Sequence, residues 1–257
     1  MALNEKKNIE EVIISSLRNK LKNYKPESNN MPFHYRLLGK DRMALYSFIQ
    51  SLNTTFGTSI FEPVAVAIAK EKFKKVEKQF VLGDTIKEGC QQAIQKIMNK
   101  LTVNGNPNKK EEIELIRKAA NSNSKTNLLK TVKVDLFLEN FDGRLYFLDL
   151  KTAKPNISNF KDFKRTLLEW VGIILTNNPD ANVNTLIAIP YNPYEPQPYE
   201  RWTIKGMLDD TELMVGKEFW DFLGGKGSYE DLLICFEQAG IKLRTEIDEY
   251  FARFKNI

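Results

Sequence analysis

The chain has 257 residues, of which 42% are hydrophobic and 28% charged, and its net charge is +5. These proportions are typical of a soluble globular protein and exclude extensive disorder. The mild positive charge is compatible with a nucleic-acid partner without requiring one. One histidine and two distant cysteines, Cys90 and Cys235, cannot build a typical structural zinc site.

Targeting and membrane signals are weak in this sequence. The N-terminal residues contain no apolar run of the secretory type, and no apolar stretch approaches the roughly 18 residues that suggest a membrane span. We therefore expect a cytoplasmic protein that does not associate with a membrane. In that reducing compartment both cysteines are expected to be buried and unpaired.

Helical periodicity dominates the first half of the chain. Apolar spacing predicts helices at 8–21, 41–52, 84–101 and 111–120. Ser59 is predicted to cap a further long helix that runs to about Lys78, with Glu62 three residues beyond the cap and Pro63 in the first turn. On this interpretation the Glu62 carboxylate belongs to a capping box.

The second half mixes strands with helices. Two strands joined by a turn are predicted within 132–151, followed by a helix at 159–175, a strand at 185–189 and a helical C-terminal part. Repeated prolines exclude regular structure from 190 to 202. The glycine-rich segment 224–227 predicts a helix end, and Ser228 with Asp231 predicts the capping box of the next helix.

This order of elements predicts an α/β protein whose central mixed β-sheet is flanked by helices, with helical additions at both ends. We expect a single domain over 1–257. It comprises a mainly helical part at 1–124, a core that carries the sheet at 125–205 and a helical C-terminal part at 206–257.

The paired strands at 132–151 carry the most specific signal of the chain, the sequence VKVDLFLENFDGRLYFLDLK. Alternation with period two separates an apolar face from a face that carries Asp135, Asp149 and Lys151. The apolar face consists of Val132, Val134, Leu136, Leu138, Tyr146, Leu148 and Leu150.

The turn decides which residues of the two strands face each other. A two-residue loop would place Leu136 opposite Asp149 and so mix the two faces. A three-residue loop at 141–143 keeps the faces separate and puts Gly143 in the left-handed position. It also sets Asp135 opposite Asp149, with Cβ atoms roughly 4.5–5.5 Å apart. We predict the three-residue loop.

Two facing carboxylates repel each other unless a cation lies between them. We therefore expect Asp135, Asp149 and the backbone carbonyl of Leu150 to hold Mg²⁺ through hard oxygen ligands. The ion would activate water and polarise a scissile phosphate, while Lys151 would orient the nucleophile and offset developing charge. Apolar residues interleaved with these charges favour such a site over simple solvent-facing charge.

These residues resemble the PD-(D/E)xK nuclease superfamily, with Asp135, thirteen intervening residues and then the acid–Leu–Lys sequence of 149–151. Val134 stands where members of this superfamily usually have proline. Members often carry a further acid on an upstream helix after a glycine, and Gly57 followed by Glu62 is similar to that element.

The chain is similar in particular to the TdeIII group of type II restriction endonucleases, whose members cut the interrupted palindrome GGNCC. The resemblance implies a restriction-endonuclease-like core and Mg²⁺-dependent hydrolysis of double-stranded DNA, with Mn²⁺ as a substitute ion. It also implies a homodimer, because symmetric cutting needs one active site per strand. Catalytic roles are implied for Asp135, Asp149, Lys151 and Glu62, with Glu62 as a further candidate metal ligand.

The resemblance also implies DNA contacts, since the helix after the second strand is similar to one that faces DNA. The candidate DNA-binding residues are Lys154, Lys161, Lys164, Arg165, Tyr191 and Arg201. The basic residues have an alternative role as solvated surface charge, and Tyr191 and Arg201 could instead belong to a rigid loop or a dimer contact. Two other functions stay open: a structure-specific nuclease such as a junction resolvase, and a non-catalytic DNA-binding protein.

Overall fold

The computed structural model describes residues 1–24, 31–151, 159–199 and 207–253. Within these ranges the strands form one five-stranded sheet in chain order. They are β1 (Lys75–Lys87), β2 (Thr126–Glu139), β3 (Leu145–Leu150), β4 (Val183–Ile189) and β5 (Leu213–Val215). β1, β2 and β3 pair antiparallel, whereas β3, β4 and β5 pair parallel. The predicted α/β class with a mixed sheet is confirmed.

Helices precede, separate and follow the strands. The N-terminal helices are α1 (Leu3–Asn23), α2 (Pro32–Leu38), α3 (Lys40–Phe56) and α4 (Glu62–Ala69), with a π-helical turn (Gly57–Phe61) between the last two. The others are α5 (Glu88–Asn104), α6 (Lys109–Ala120), α7 (Asn159–Asn177), α8 (Lys217–Gly224), α9 (Ser228–Lys242) and α10 (Arg244–Ala252). In the described ranges no helix has the length and apolar character needed to cross a membrane.

Two apolar cores lie on opposite sides of the sheet. In the α7-side core, α5, α6 and α7 pack against sheet residues that include Phe137 and Phe147. In the α4-side core, α1, α4, α8 and α9 pack against residues that include Leu136 and Leu148. Each core also contains one of the two cysteines, both buried and unpaired as predicted.

The segment predicted as the end of a long helix is a strand. Helix α4 ends at Ala69, and Lys75–Lys87 forms β1, which pairs with β2 along its length. Lysine and glutamate favour a helix locally, but pairing with β2 supplies tertiary contacts that outweigh this preference. The helix predicted to begin at 84 accordingly begins only at Glu88.

Two predicted helix caps are wrong. Ser59 lies inside the π-helical turn, so no helix begins there. Ser228 is the first residue of α9 rather than its cap, and Asp231 pairs with the N-terminal amine and with Lys6. The predicted helix end is confirmed, because α8 ends at Gly224.

Candidate active site

The hairpin between β2 and β3 has the predicted three-residue loop. Gly143 has φ 80°, and the residues that flank the loop pair through a backbone hydrogen bond of 2.9 Å. Leu136 pairs with Leu148, and one further step in this register sets Asp135 level with Asp149. The predicted register is therefore confirmed, and it brings the two acids together at the end of the strand pair.

The alternation of β2 breaks at Asp135. Leu136 lies in the α4-side core as expected, but Val134 lies in the α7-side core and Val132 packs against that same core. Residues two apart on a regular strand share a face, so the prediction that these valines share the face of Leu136 is wrong. At this position the Asp135 side chain bonds the neighbouring strand, since its Oδ2 accepts the N–H of Leu150 at 2.8 Å.

Glu62 contributes a buried carboxylate from the start of α4 and is 2% exposed. Its oxygens accept hydrogen bonds from the amide of Gln79 at 3.0 and 3.1 Å, and the same nitrogen lies 3.3 Å from Asp135 Oδ1. The capping interpretation of Glu62 is therefore wrong. Sequence reasoning missed Gln79 because it did not identify β1, although the β-prone run 80–82 ahead of Gly83 is a strand signal.

Lys151 extends from the end of β3 toward the same acids. Its Nζ lies 2.7 Å from Asp149 Oδ1 and 5.3 Å from the centre of the Phe163 ring on α7. Asp149 is 7% exposed, whereas the Lys151 side chain is 31% exposed. The ammonium group therefore links a buried acid to the protein surface.

Burial controls the protonation of both inner acids. It raises the pKa of Asp149 to about 7, against the opposing effect of Lys151 and with a smaller contribution from neighbouring Asp135. Burial also raises the pKa of Glu62, against the hydrogen bond from Gln79. A proton kept on Asp149 relieves its repulsion with Asp135, and cation binding at this site is expected to release that proton.

The raised pKa of Asp149 predicts a pH dependence of stability in metal-free buffer. Between an ordinary pKa of 3.8 and about 7, the folded protein keeps a proton that the unfolded chain has lost. The free energy of unfolding is therefore expected to fall as pH rises through this window. Urea unfolding at about pH 5 and about pH 8 measures the change. Because Asp149→Asn cannot titrate, the variant should lose less stability than wild type, and identical losses would contradict the assignment.

The donor atoms near Asp135 suit Mg²⁺. Among the residues that the structure describes, no three acidic, histidine or cysteine side chains form a ready metal cluster. Mg²⁺ does not require one, since it usually takes one or two carboxylates and keeps several waters. Asp135 and Asp149 could supply the carboxylates. The carbonyl of Leu150 points to the same side of its strand as its N–H, which already bonds Asp135.

Lys164, a predicted DNA-binding residue, is buried instead of lying at the surface where a DNA contact would require it. It is 0% exposed, and its ammonium group contacts Glu112 on α6 and both oxygens of Glu212, the latter at 2.7 and 2.8 Å. Lys164 lies four residues after Phe160 and three before Leu167, two residues of the α7-side core. This spacing places it on the inward face of the helix, a signal that the sequence already contained.

The other candidate DNA-binding residues differ in position. Lys161 is exposed near the start of α7, and Arg165, one turn further, is partly exposed and donates to a glutamine on α5 at 2.9 Å. Tyr191 is 45% exposed just beyond β4. Lys154 and Arg201 lie outside the described residues. Lys161 and Arg165 are four residues apart and thus share one side of α7.

An open cavity of about 350 Å³ lies beside β5, and acidic side chains predominate among its charged residues. Its lining residues are Asn192, Glu195, Tyr199, Asp209, Asp210, Leu213, Val215, Lys217 and Glu218. A negatively charged lining disfavours a polyanion. This cavity is therefore a poor candidate for DNA contact.

The mixed sheet between two helical layers gives the chain an α/β fold of the restriction-endonuclease type. The family model described as "Type II restriction endonuclease, HinfI" matches residues 1–240. The chain belongs to this family. Its activity is therefore that of a restriction endonuclease, and its substrate is DNA.

Relatives of the chain are also described as type II restriction enzymes. The type II restriction enzyme HgiCII of Herpetosiphon aurantiacus is 25% identical over 222 residues, which cover 84% of this chain and 80% of the relative. HgiEI of the same organism is 25% identical over 223 residues, covering 85% and 80%. MjaII of Methanocaldococcus jannaschii is 26% identical over 223 residues, covering 77% and 59%. The similarity thus extends over most of this chain.

Proposed function

We propose that the protein is a Mg²⁺-dependent type II restriction endonuclease of the PD-(D/E)xK superfamily that cuts both strands of DNA at a short palindromic site. The observation that carries this proposal is the placement of Asp135 beside Asp149, with the ammonium group of Lys151 2.7 Å from Asp149. Two acids and a lysine on adjacent strands are what the motif requires, and the chain belongs to a restriction endonuclease family.

The proposed roles follow from the position of each group. Asp135, Asp149 and the Leu150 carbonyl would hold Mg²⁺, with Glu62 as a further acid and Mn²⁺ as a substitute ion. The bound ion would polarise the scissile phosphate and acidify a water molecule. Lys151 would orient the attacking water and offset negative charge that develops on the phosphate. The hydrogen bond from Leu150 N–H keeps Asp135 oriented before substrate arrives.

Cutting both strands of a palindrome needs two active sites related by a two-fold axis. We therefore propose that the enzyme acts as a homodimer. GGNCC is proposed as the site on the similarity to the TdeIII group alone. Lys161 and Arg165 are proposed to contact phosphates, which position the duplex without reading its sequence.

Lys161→Ala is expected to weaken DNA binding equally for all sequences, because it removes one exposed cation from the helix whose Phe163 contacts Lys151. The slope of log affinity against log salt concentration should become shallower by about one. Fluorescence anisotropy with labelled duplexes in EDTA measures both quantities. Lys226→Ala is the matched control, since Lys226 is exposed between α8 and α9 on the other side of the sheet. Equal salt slopes for the two variants would show that Lys161 does not contact DNA.

Digestion of plasmid DNA tests the proposed function. Purified protein is incubated with supercoiled plasmids of varied sequence in Mg²⁺, in Mn²⁺ and in EDTA. Discrete fragments that require a divalent ion are the expected result. Preference for a four-way junction over linear duplex would favour a structure-specific nuclease instead. Salt-sensitive binding without cleavage in either metal would favour a non-catalytic DNA-binding protein.

A further inference from the structure

Gln79 has an unusual backbone conformation at the edge of the candidate active site. Its φ is 52°, and among the described residues it is the one residue other than glycine with a positive φ. This region disfavours side chains with a Cβ atom, and glutamine is not among the residues that tolerate it best. Such a conformation persists where surrounding structure holds it, often at functional sites.

The pairing of β1 with β2 places Gln79 beside the acids. Lys78 pairs with Leu136 and Phe80 pairs with Val134, so Gln79 lies level with Asp135. The position opposite Gln79 is also the point at which the alternation of β2 breaks. The positive φ of Gln79 on β1 and the break in alternation at Asp135 on β2 therefore lie opposite each other.

The Gln79 side chain joins acids that come from different parts of the chain. Its amide nitrogen lies 3.0 and 3.1 Å from the oxygens of Glu62 on α4, and 3.3 Å from Asp135 Oδ1 on β2. The second oxygen of Asp135 accepts the N–H of Leu150 on β3. One continuous set of hydrogen bonds thus links α4, β1, β2 and β3 across the site.

The uncharged amide is suited to this position. It supplies two N–H donors, so it can hold two carboxylates without adding a charge. A lysine or arginine there would neutralise the acids and oppose a cation, whereas a glutamate would add repulsion. Groups that orient metal ligands from outside the coordination sphere commonly tune metal affinity.

We propose that Gln79 is a positioning residue for the cation site. Its amide holds the carboxylates of Glu62 and Asp135 in place before a divalent cation binds. This inference rests on the proposed metal-dependent function. It goes beyond that function because it assigns a role to a residue outside the acid and lysine motif.

Gln79→Gly tests the inference, because glycine accepts a φ of 52° without strain and lacks the amide. Mn²⁺ binding to the DNA-free protein is measured by electron paramagnetic resonance, and the Mg²⁺ dependence of cleavage is measured separately. Mn²⁺ affinity should fall about 10- to 100-fold. The Mg²⁺ concentration for half-maximal cleavage should rise in parallel, with smaller change in the rate at saturating Mg²⁺. DNA binding in EDTA should match that of wild type.

Control variants separate the possible outcomes. Gln79→Met has a similar length without the donors, and it replaces the glycine variant if that protein does not fold. Gln79→Asn keeps an amide and should recover part of the Mn²⁺ affinity. Wild-type Mn²⁺ affinity in a folded Gly or Met variant overturns the role of Gln79 alone. Failure of wild-type protein to bind Mn²⁺ overturns the proposed cation site as well.

Discussion

Asp149→Asn is expected to reduce the rate of DNA cleavage by a factor on the order of 10³ or more, while DNA binding is retained. The buried carboxylate of Asp149 faces Asp135 and pairs with Lys151 at 2.7 Å. The amide removes the negative charge that both the cation and the lysine are expected to use. Because burial already favours the neutral form of Asp149, a neutral side chain of the same shape should leave the fold intact.

Single-turnover cleavage of plasmid DNA with enzyme in excess measures this effect, and anisotropy in EDTA measures binding. Asp248→Asn is the matched control, since it makes the same change at an exposed position on α10. The control should cut at the wild-type rate. Cleavage by Asp149→Asn at the wild-type rate would exclude Asp149 from catalysis, and loss of DNA binding would indicate a structural role instead.

Lys164→Met is expected to lower the free energy of unfolding by about 3–5 kcal/mol. The ammonium group of Lys164 is completely buried between Glu112 on α6 and Glu212 ahead of β5. Methionine fills similar space but removes the ammonium group that both buried carboxylates contact. Each carboxylate then loses a buried hydrogen-bond donor, which weakens the contact between three separate segments of the chain.

Urea unfolding of the metal-free protein measures this loss, with Lys161→Met as the control on the same helix. Lys161 is exposed, so its replacement should change the free energy of unfolding little. Equal stability of the two variants would show that the buried ion pairs contribute nothing. A triple variant that also replaces Glu112 and Glu212 by leucine should recover part of the loss, because it buries no charge.

The hairpin was predictable because its information is local. The separation of faces from Leu136 onward and a glycine at the third loop position together fix the register that sets Asp135 level with Asp149. The placement of Lys151 near the two acids was predictable as well, because Lys151 comes two residues after Asp149. These contacts depend on chain geometry over a few residues. The structure has the predicted three-residue loop and register.

The contacts that cross between elements were not predictable in this way. Gln79 meets Glu62 and Asp135 only because β1 pairs with β2, whereas its local sequence favours a helix. The break in alternation at Asp135 occurs where a side chain bonds the backbone of a neighbouring strand. Lys164 is a different case, since its spacing within an apolar stripe does indicate an inward position. Lys164 was nevertheless predicted at the surface, because lysine side chains are usually exposed.

The most direct test of the paired-acid site is to sequence the DNA ends produced from one plasmid by wild-type protein and by Asp135→Asn in Mg²⁺. Wild-type ends are expected to fall at one short palindrome with a constant stagger between strands. The variant is expected to yield no such ends while it still binds the plasmid. Identical ends from both proteins, or no divalent-dependent ends from wild type, would contradict the assignment of Asp135 and Asp149 as the acids of the nuclease site.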